Sequence, residues 1–242
     1  MSAADSSIHA WLGSPLGQHL LAQESALVAQ ALDQVFGLQL LQIGAWGNPG
    51  TLLANARTQR YALVGMESTP GISVRADPAE LCIASDSIDA VVLPHTLELS
   101  EHPHDVLREI DRILVGEGHL LILGFNPMGP LGLRRTISRG RFPPGVKRFI
   151  GERRMRDWLS LLGFDVLSVR GYFHTLPINR AALSQRPVTL GSREGGFWSK
   201  LAGAYVLLAQ KKVYTLTPIR PKWRKKPRVV GALVEPTTRN PS

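Results

Sequence analysis

Between Ser85 and Pro127 the chain reads SDSIDAVVLPHTLELSEHPHDVLREIDRILVGEGHLLILGFNP. It opens with an apolar run, Ile88 to Leu93, and a polar turn. An amphipathic stretch from Pro103 to Val115, a Gly116-Glu117-Gly118 stop and a second apolar run, His119 to Gly124, follow. Val106, Leu107, Ile110, Ile113 and Leu114 form one stripe of a helix, with Arg108, Glu109, Asp111 and Arg112 on the other face. Neither apolar run alternates, which is the pattern of a strand covered on both faces. A strand–helix–strand unit of this length is a parallel crossover, so both strand C-termini fall on one edge of a sheet. Open α/β sheets bind ligands at that edge. The residues there are Leu93-Pro94-His95-Thr96 and Phe125-Asn126-Pro127.

The flanking sequence extends the pattern. Gln18 to Phe36 has helical periodicity and stops at Gly37, and Leu38 to Ile43 is a strand. A glycine-bearing turn, Gly44-Ala45-Trp46-Gly47-Asn48-Pro49-Gly50, follows at once. Thr51 to Gln59 is expected as a short helix, and Tyr61–Gly65 and Ile72–Ala76 as strands. Arg153 to Leu162 is a helix, Phe164 to Arg170 a strand, and Gly203 to Gln210 the last apolar strand. Seven strands alternating with helices predict an α/β, doubly wound, mostly parallel sheet of the Rossmann-like kind. One region is shortened. Only the six residues Met66 to Gly71 separate the second and third strands, where a parallel crossover usually takes about a dozen. Either those strands pair as a hairpin or one of them is irregular.

The expected organisation is a loose lead-in over 1–15, one domain over 16–212 with a Gly/Pro/Arg-rich insertion at 128–150, and a basic, disordered tail over 213–242. No apolar run reaches the roughly 18 residues of a membrane span, and no secretory leader is apparent. A single cysteine, Cys82, excludes an internal disulfide, and a cytoplasmic protein is expected. Charge is uneven. Residues 1–100 hold 3 Lys/Arg against 9 Asp/Glu, and residues 101–242 hold 25 against 10. Nine of the cations lie in 134–156 and eight in 211–228, which suggests RNA or another polyanion, or an acidic membrane surface; solvated loops are the alternative. His102 and His104 lie at a helix start without further ligands at a suitable spacing, so no metal is expected.

In its glycine turn, its Asp77 strand end and the Ser85–Pro127 unit, the chain resembles the class I S-adenosylmethionine-dependent methyltransferases of type 11. Within them it is most similar to the YafS-like group of bacterial proteins. VRADPAELCIASDSIDAVVLPHTLE, PHDVLREIDRILVGEGHLLILGFNP and RDWLSLLGFDVL carry the likeness, which spans about residues 38–212 in order. The resemblance implies S-adenosylmethionine as methyl donor, S-adenosylhomocysteine as product and an acceptor that the sequence does not identify. Oligomeric state is equally unread.

It also implies a set of cofactor-binding positions. Gly44 matches the first glycine of the family's turn, and Ala45, Trp46 and Gly47 continue it. Gln42 stands where the family has an acid that engages the methionine ammonium group. Glu67 is the candidate for the ribose hydroxyls, since a carboxylate accepts from two adjacent donors. Asp77, followed by Pro78, matches the residue that accepts from the adenine amino group. Capping of its own turn is the alternative for Asp77. Leu93, Pro94 and His95 line the methionine end and the mouth for the acceptor. His95 is also the candidate catalytic base, because an imidazole titrates near neutrality, with a capped or packed strand-end histidine as the alternative. Asn126-Pro127 is similar to the Asn-Pro pair of amino-group methyltransferases but follows the fifth strand rather than the fourth, so that role does not transfer. Gln42 in place of the acid leaves a second reading open, a catalytically inactive binding protein that holds RNA or another polyanion on its basic surface. A nicotinamide enzyme is disfavoured, since Gly44-Ala45-Trp46-Gly47 lacks the Gly-x-Gly-x-x-Gly spacing.

Overall fold

A computed structural model describes residues 3–66, 70–139, 142–174 and 202–213. Seven strands form one sheet in the order β3-β2-β1-β4-β5-β7-β6: β1 (Gln39–Ile43), β2 (Arg60–Gly65), β3 (Val74–Arg75), β4 (Ile88–Pro94), β5 (Leu114–Phe125), β6 (Phe164–Tyr172) and β7 (Ala204–Lys211). The first five run parallel, and β7 runs antiparallel to both β5 and β6. The mostly parallel, doubly wound sheet expected from the sequence is therefore present.

Non-alternating strands have a direct cause here. In β4, Ala90 and Val92 face one apolar layer while Val91 and Leu93 face the other, and β5 divides its residues in the same way. One layer is closed by α1 (Ala3–Leu12) and α2 (Pro15–Leu32), through Ile8, Leu12, Leu16, Leu20 and Val28. The other is closed by α4 (Pro103–Ile113) and α6 (Glu152–Leu161), through Val106, Leu107, Ile110, Met155 and Leu159. A strand sandwiched this way gains from apolar residues at every position.

Several boundaries differ from expectation. The short connection between the second and third strands carries no hairpin: β2 and β3 pair in parallel, Val64 with Val74 and Gly65 with Arg75. A two-residue edge strand needs little crossover. The first fifteen residues, expected as a lead-in, contain α1, and its Ile8 and Leu12 lie in the core. Helix α2 starts earlier than predicted, because the Ser14 hydroxyl accepts from Gly17 N at 3.2 Å and Pro15 takes the first helical position. The helix expected over Thr51–Gln59 shrinks to a 3-10 turn at Thr51–Leu53, as the segment buries only Leu52 and Leu53. Gly116-Glu117-Gly118 lies inside β5 as a register shift between its two stretches of pairing with β4.

The basic insertion folds onto the sheet edge. It supplies α5 (Pro130–Ile137) and a segment whose carbonyls are gathered by one side chain. Arg135 donates to the carbonyls of Phe142 (3.3 Å), Val146 (3.0 Å) and Lys147 (2.8 Å), and stacks over Phe149. Arg134 lies over the Phe142 ring. These two cations therefore hold the insertion together. Of the basic tail only Val213 is described; Lys211, at the end of β7, pairs with Asp86 and Asp111.

Because Leu12 is buried in the core, Leu12→Ala should cost about 2–5 kcal/mol in denaturant unfolding. A loose lead-in would give no measurable change.

Candidate functional site

The strand order reverses direction between β1 and β4, since β2 lies outward of β1 and β5 outward of β4. Such a switch point opens a crevice outside the strand C-termini, which makes it the place to look for a site. The two strand ends here are Ile43-Gly44 and Pro94-His95. Thr96, the first residue of α3 (Thr96–Leu99), donates its hydroxyl to the Ile43 carbonyl and so ties the two ends together. A Cβ on Gly44 would come within 2.6 Å of that Thr96 oxygen, and Gly44 has φ +102°. Only glycine meets both conditions.

Gln42 lies just below this turn and is 1% exposed. Its amide nitrogen donates to the Gly44 carbonyl at 3.1 Å, while its Oε1 is buried with no hydrogen-bond partner among the described residues. An unmet acceptor in such a place costs free energy unless a donor arrives. Beside the turn, a cleft of about 170 Å³ opens between α2 and the turn, lined by Gln18, Leu21, Ser25, Gly47, Asn48 and Thr51 among others.

The other end of the crevice is filled. His95 is 0% exposed and has φ +55°, an uncommon conformation for a non-glycine residue. Its ring packs between Trp46 (centroids 4.3 Å apart) and Phe125 (4.0 Å). Both ring nitrogens are engaged: Nδ1 with Glu98 at 2.7 Å and Nε2 with Glu24 at 2.9 Å. The carboxylates are themselves satisfied. Glu24 also accepts from Trp46 Nε1 at 2.6 Å and from the Tyr172 hydroxyl at 2.9 Å. Glu98 also accepts from the backbone N of Phe125 at 2.8 Å and of Ile150 at 3.4 Å.

Burial alone would lower the His95 pKa. The charge and hydrogen bond of Glu24, followed by those of Glu98, outweigh it and raise the imidazole from 6.5 to about 9. Burial likewise raises the Glu98 carboxyl, against the pull of His95, and lifts the Tyr172 hydroxyl well above its ordinary range. His95 is thus an imidazolium at neutral pH, with no lone pair to offer. Of the two sequence readings of His95, a general base at the acceptor mouth and a packed strand-end histidine, the structure fits the second, as the cation of a closed carboxylate clamp.

The other sequence candidates divide. Gln42, Gly44, half-buried Ala45 and Gly47 come together at the turn, whereas Trp46, which also lines the cleft, is 1% exposed and engages the clamp. Asp77 is exposed and its Oδ1 accepts from Ala79 N at 2.9 Å, so it caps its own turn, with Pro78 buried beside it. Leu93 and Pro94 are buried at the end of β4. Glu67 lies outside the described residues. Asn126 is a turn former, its amide donating to Ala202 O and its oxygen accepting from Met128 N. Glu24, Glu98 and Tyr172 escaped the sequence reading. For Glu24 a signal existed: it interrupts the Leu20–Val28 row of the buried α2 face, the one place on that helix where a charge needs a partner.

Comparisons with known proteins agree with this architecture. Residues 48–122 match the methyltransferase-domain family, beginning just after the Gly44–Gly47 turn. The Escherichia coli (strain K12) protein YafS is 38% identical over 153 residues, 61% of this chain and 60% of YafS, so the chain matches about three fifths of that relative's length. A solved S-adenosylmethionine-dependent methyltransferase of Thermotoga maritima superposes with a TM-score of 0.65 at 18% identity, over 81% of this chain and 91% of that one. Another, from Mesorhizobium loti, gives 0.54 at 17% identity, over 82% and 99%. At such identities the solved structures share the fold.

The clamp makes a pH prediction. An unfolded histidine loses its proton near pH 6.5, whereas the folded one keeps it to about 9. The stabilisation is therefore complete below 6.5 and is lost as pH rises through about 9, a loss of about 3 kcal/mol. Between about pH 6 and pH 10, unfolding free energy should fall by that much more in the wild type than in Glu24→Gln, where the pairing charge is gone. Equal pH slopes would contradict a charged His95.

Proposed function

We propose that this chain, whose residues 48–122 match the methyltransferase-domain family and whose sheet has the class I methyltransferase fold, binds S-adenosylmethionine and transfers its methyl group to an acceptor. The observation that carries the reading is the orphaned Gln42 Oε1, buried beside the Gly44–Gly47 turn at the switch point. An ammonium group is the donor such an oxygen lacks, and the cofactor's methionine end carries one. The residues present fit the group in part. Gln42 and the backbone of the turn would hold the methionine end, with Asp77 offering its exposed carboxylate toward the adenine and Leu93 and Pro94 forming the floor. The cofactor supplies an electrophilic methyl on a sulfonium, so the protein's share is orientation and exclusion of water.

His95 is not the base in this scheme, since both its nitrogens are held by carboxylates. The acceptor then either arrives with a free lone pair or gives its proton to water or to a group outside the described residues. A second reading follows from the same clamp. Trp46, His95 and Phe125 fill the ends of the glycine turn, β4 and β5, where the family's acceptor mouth was expected, which favours a protein that holds the cofactor without turnover. Its binding of a polyanion through 134–156 has less support, because Arg134 and Arg135 serve the insertion.

Calorimetry with S-adenosylhomocysteine tests the cofactor reading. Gln42→Leu should keep the fold and weaken binding by about 1–3 kcal/mol, since the oxygen that awaits a donor is gone. Asp77→Ala should weaken it by a similar amount. Absence of heat with the wild type at millimolar ligand sinks the proposal, and binding without methyl transfer to any fraction of a cell extract supports the second reading.

A further inference from the structure

Helix α5 leaves one face uncovered. Leu131 and Gly132 are buried against the sheet edge, but Leu133 is 64% exposed and Ile137, one turn on, 77% exposed. Met128, just ahead of the helix, is 81% exposed. Residues at i and i+4 share a helix face, so Leu133 and Ile137 present a continuous apolar strip. Exposed aliphatic side chains grouped in this way mark a contact surface.

The surroundings of that strip are cationic. Residues 134–156 hold nine Lys/Arg and one acid. Arg139 follows the helix directly and is exposed, as are Lys147, Arg148, Arg153 and Arg154. Lys147 pairs only with Glu101, a carboxylate that is itself 71% exposed, and such surface pairs neutralise little in water. These cations sit close to α5. Arg135 binds the carbonyls of Val146 and Lys147, and a Cβ on Gly151, which precedes α6, would lie 3.4 Å from Pro127, just before α5.

An exposed apolar helix face within a segment rich in Lys and Arg has the composition of a segment that lies in the interface of an anionic bilayer. Nucleic acid would use the cations but has no use for exposed Leu and Ile, and a protein groove would not call for this excess of positive charge. We propose that α5 and its basic surround dock the protein on an acidic lipid surface. The helix follows β5 at the C-terminal edge of the sheet, so docking would turn the same edge that carries the Gly44–Gly47 turn toward the bilayer. The inference does not depend on the cofactor reading.

Flotation of the full chain with vesicles tests it. The protein should float with phosphatidylcholine–phosphatidylglycerol vesicles, far less with phosphatidylcholine alone, and binding should fall with added salt. Leu133→Asp/Ile137→Asp should reduce binding at least about tenfold, with melting and S-adenosylhomocysteine calorimetry unchanged, since both side chains are exposed. Arg139→Glu/Arg153→Glu should weaken binding to the anionic vesicles. The proposal is overturned if the wild type ignores both vesicles, or if the Leu133/Ile137 variant binds as well as the wild type. It is equally overturned if a single-stranded oligoribonucleotide binds the wild type and the Leu133/Ile137 variant alike while vesicles do not bind.

Discussion

A buried imidazolium between two carboxylates organises this molecule. Glu24 comes from α2, His95 from the end of β4 and Glu98 from α3, so one ion cluster joins a helix of the first layer to the switch-point edge of the sheet. Its further bonds reach the glycine turn through Trp46, β6 through Tyr172, the end of β5 through Phe125 N, and the insertion through Ile150 N. The Glu98 carbonyl adds two more ties to the insertion, accepting from Lys147 N and Arg148 N. Taking charges out of water is costly and is offset only when every lone pair and proton finds a partner. Each carboxylate oxygen here has at least one donor and each ring nitrogen an acceptor. Removal of any one member strands a buried charge, so the cluster enforces a single arrangement of the elements around it.

That arrangement divides the crevice into two unequal parts. On the side of the glycine turn, Gln42 has an acceptor unmet among the described residues, and a small cleft lies between Gly47–Asn48 and α2. On the side of β4 and β5, three stacked rings leave no opening at His95, and Phe149 continues the stack beyond Phe125 with centroids 5.0 Å apart. The histidine that the sequence offered as a possible base is therefore already protonated at neutral pH. Its pKa rises for the same reason that it is unreactive, namely two carboxylates within hydrogen-bond distance.

The sheet was legible because its evidence is repeated. Ala90–Leu93 and Leu120–Leu123 are apolar at every position, and Pro103–Val115 carries a complete helical stripe, so several residues vote for each element. The Thr51–Gln59 helix failed because two buried leucines cannot sustain three turns. The lead-in failed because α1 is short and its two anchors, Ile8 and Leu12, gain their meaning only from packing against α2. The site was read in part. Gln42 and Gly44 announce themselves by position at the end of a strand and just after it, whereas the clamp unites residues 24, 95, 98 and 172, whose proximity no local pattern encodes. Glu24 alone left a trace, as a charge in an apolar row.

The central claim is that ligand recognition belongs to the glycine turn and Gln42, while His95 stays a closed, doubly protonated structural cation. A titration of isotope-labelled protein with S-adenosylhomocysteine, followed by nuclear magnetic resonance at neutral pH, observes both halves at once. The Gln42 side-chain amide and the backbone amides of Gly44 and Gly47 should shift on saturation, with both His95 ring protons present before and after. An unmoved Gln42 amide, or a His95 ring that carries only one proton, would contradict the account.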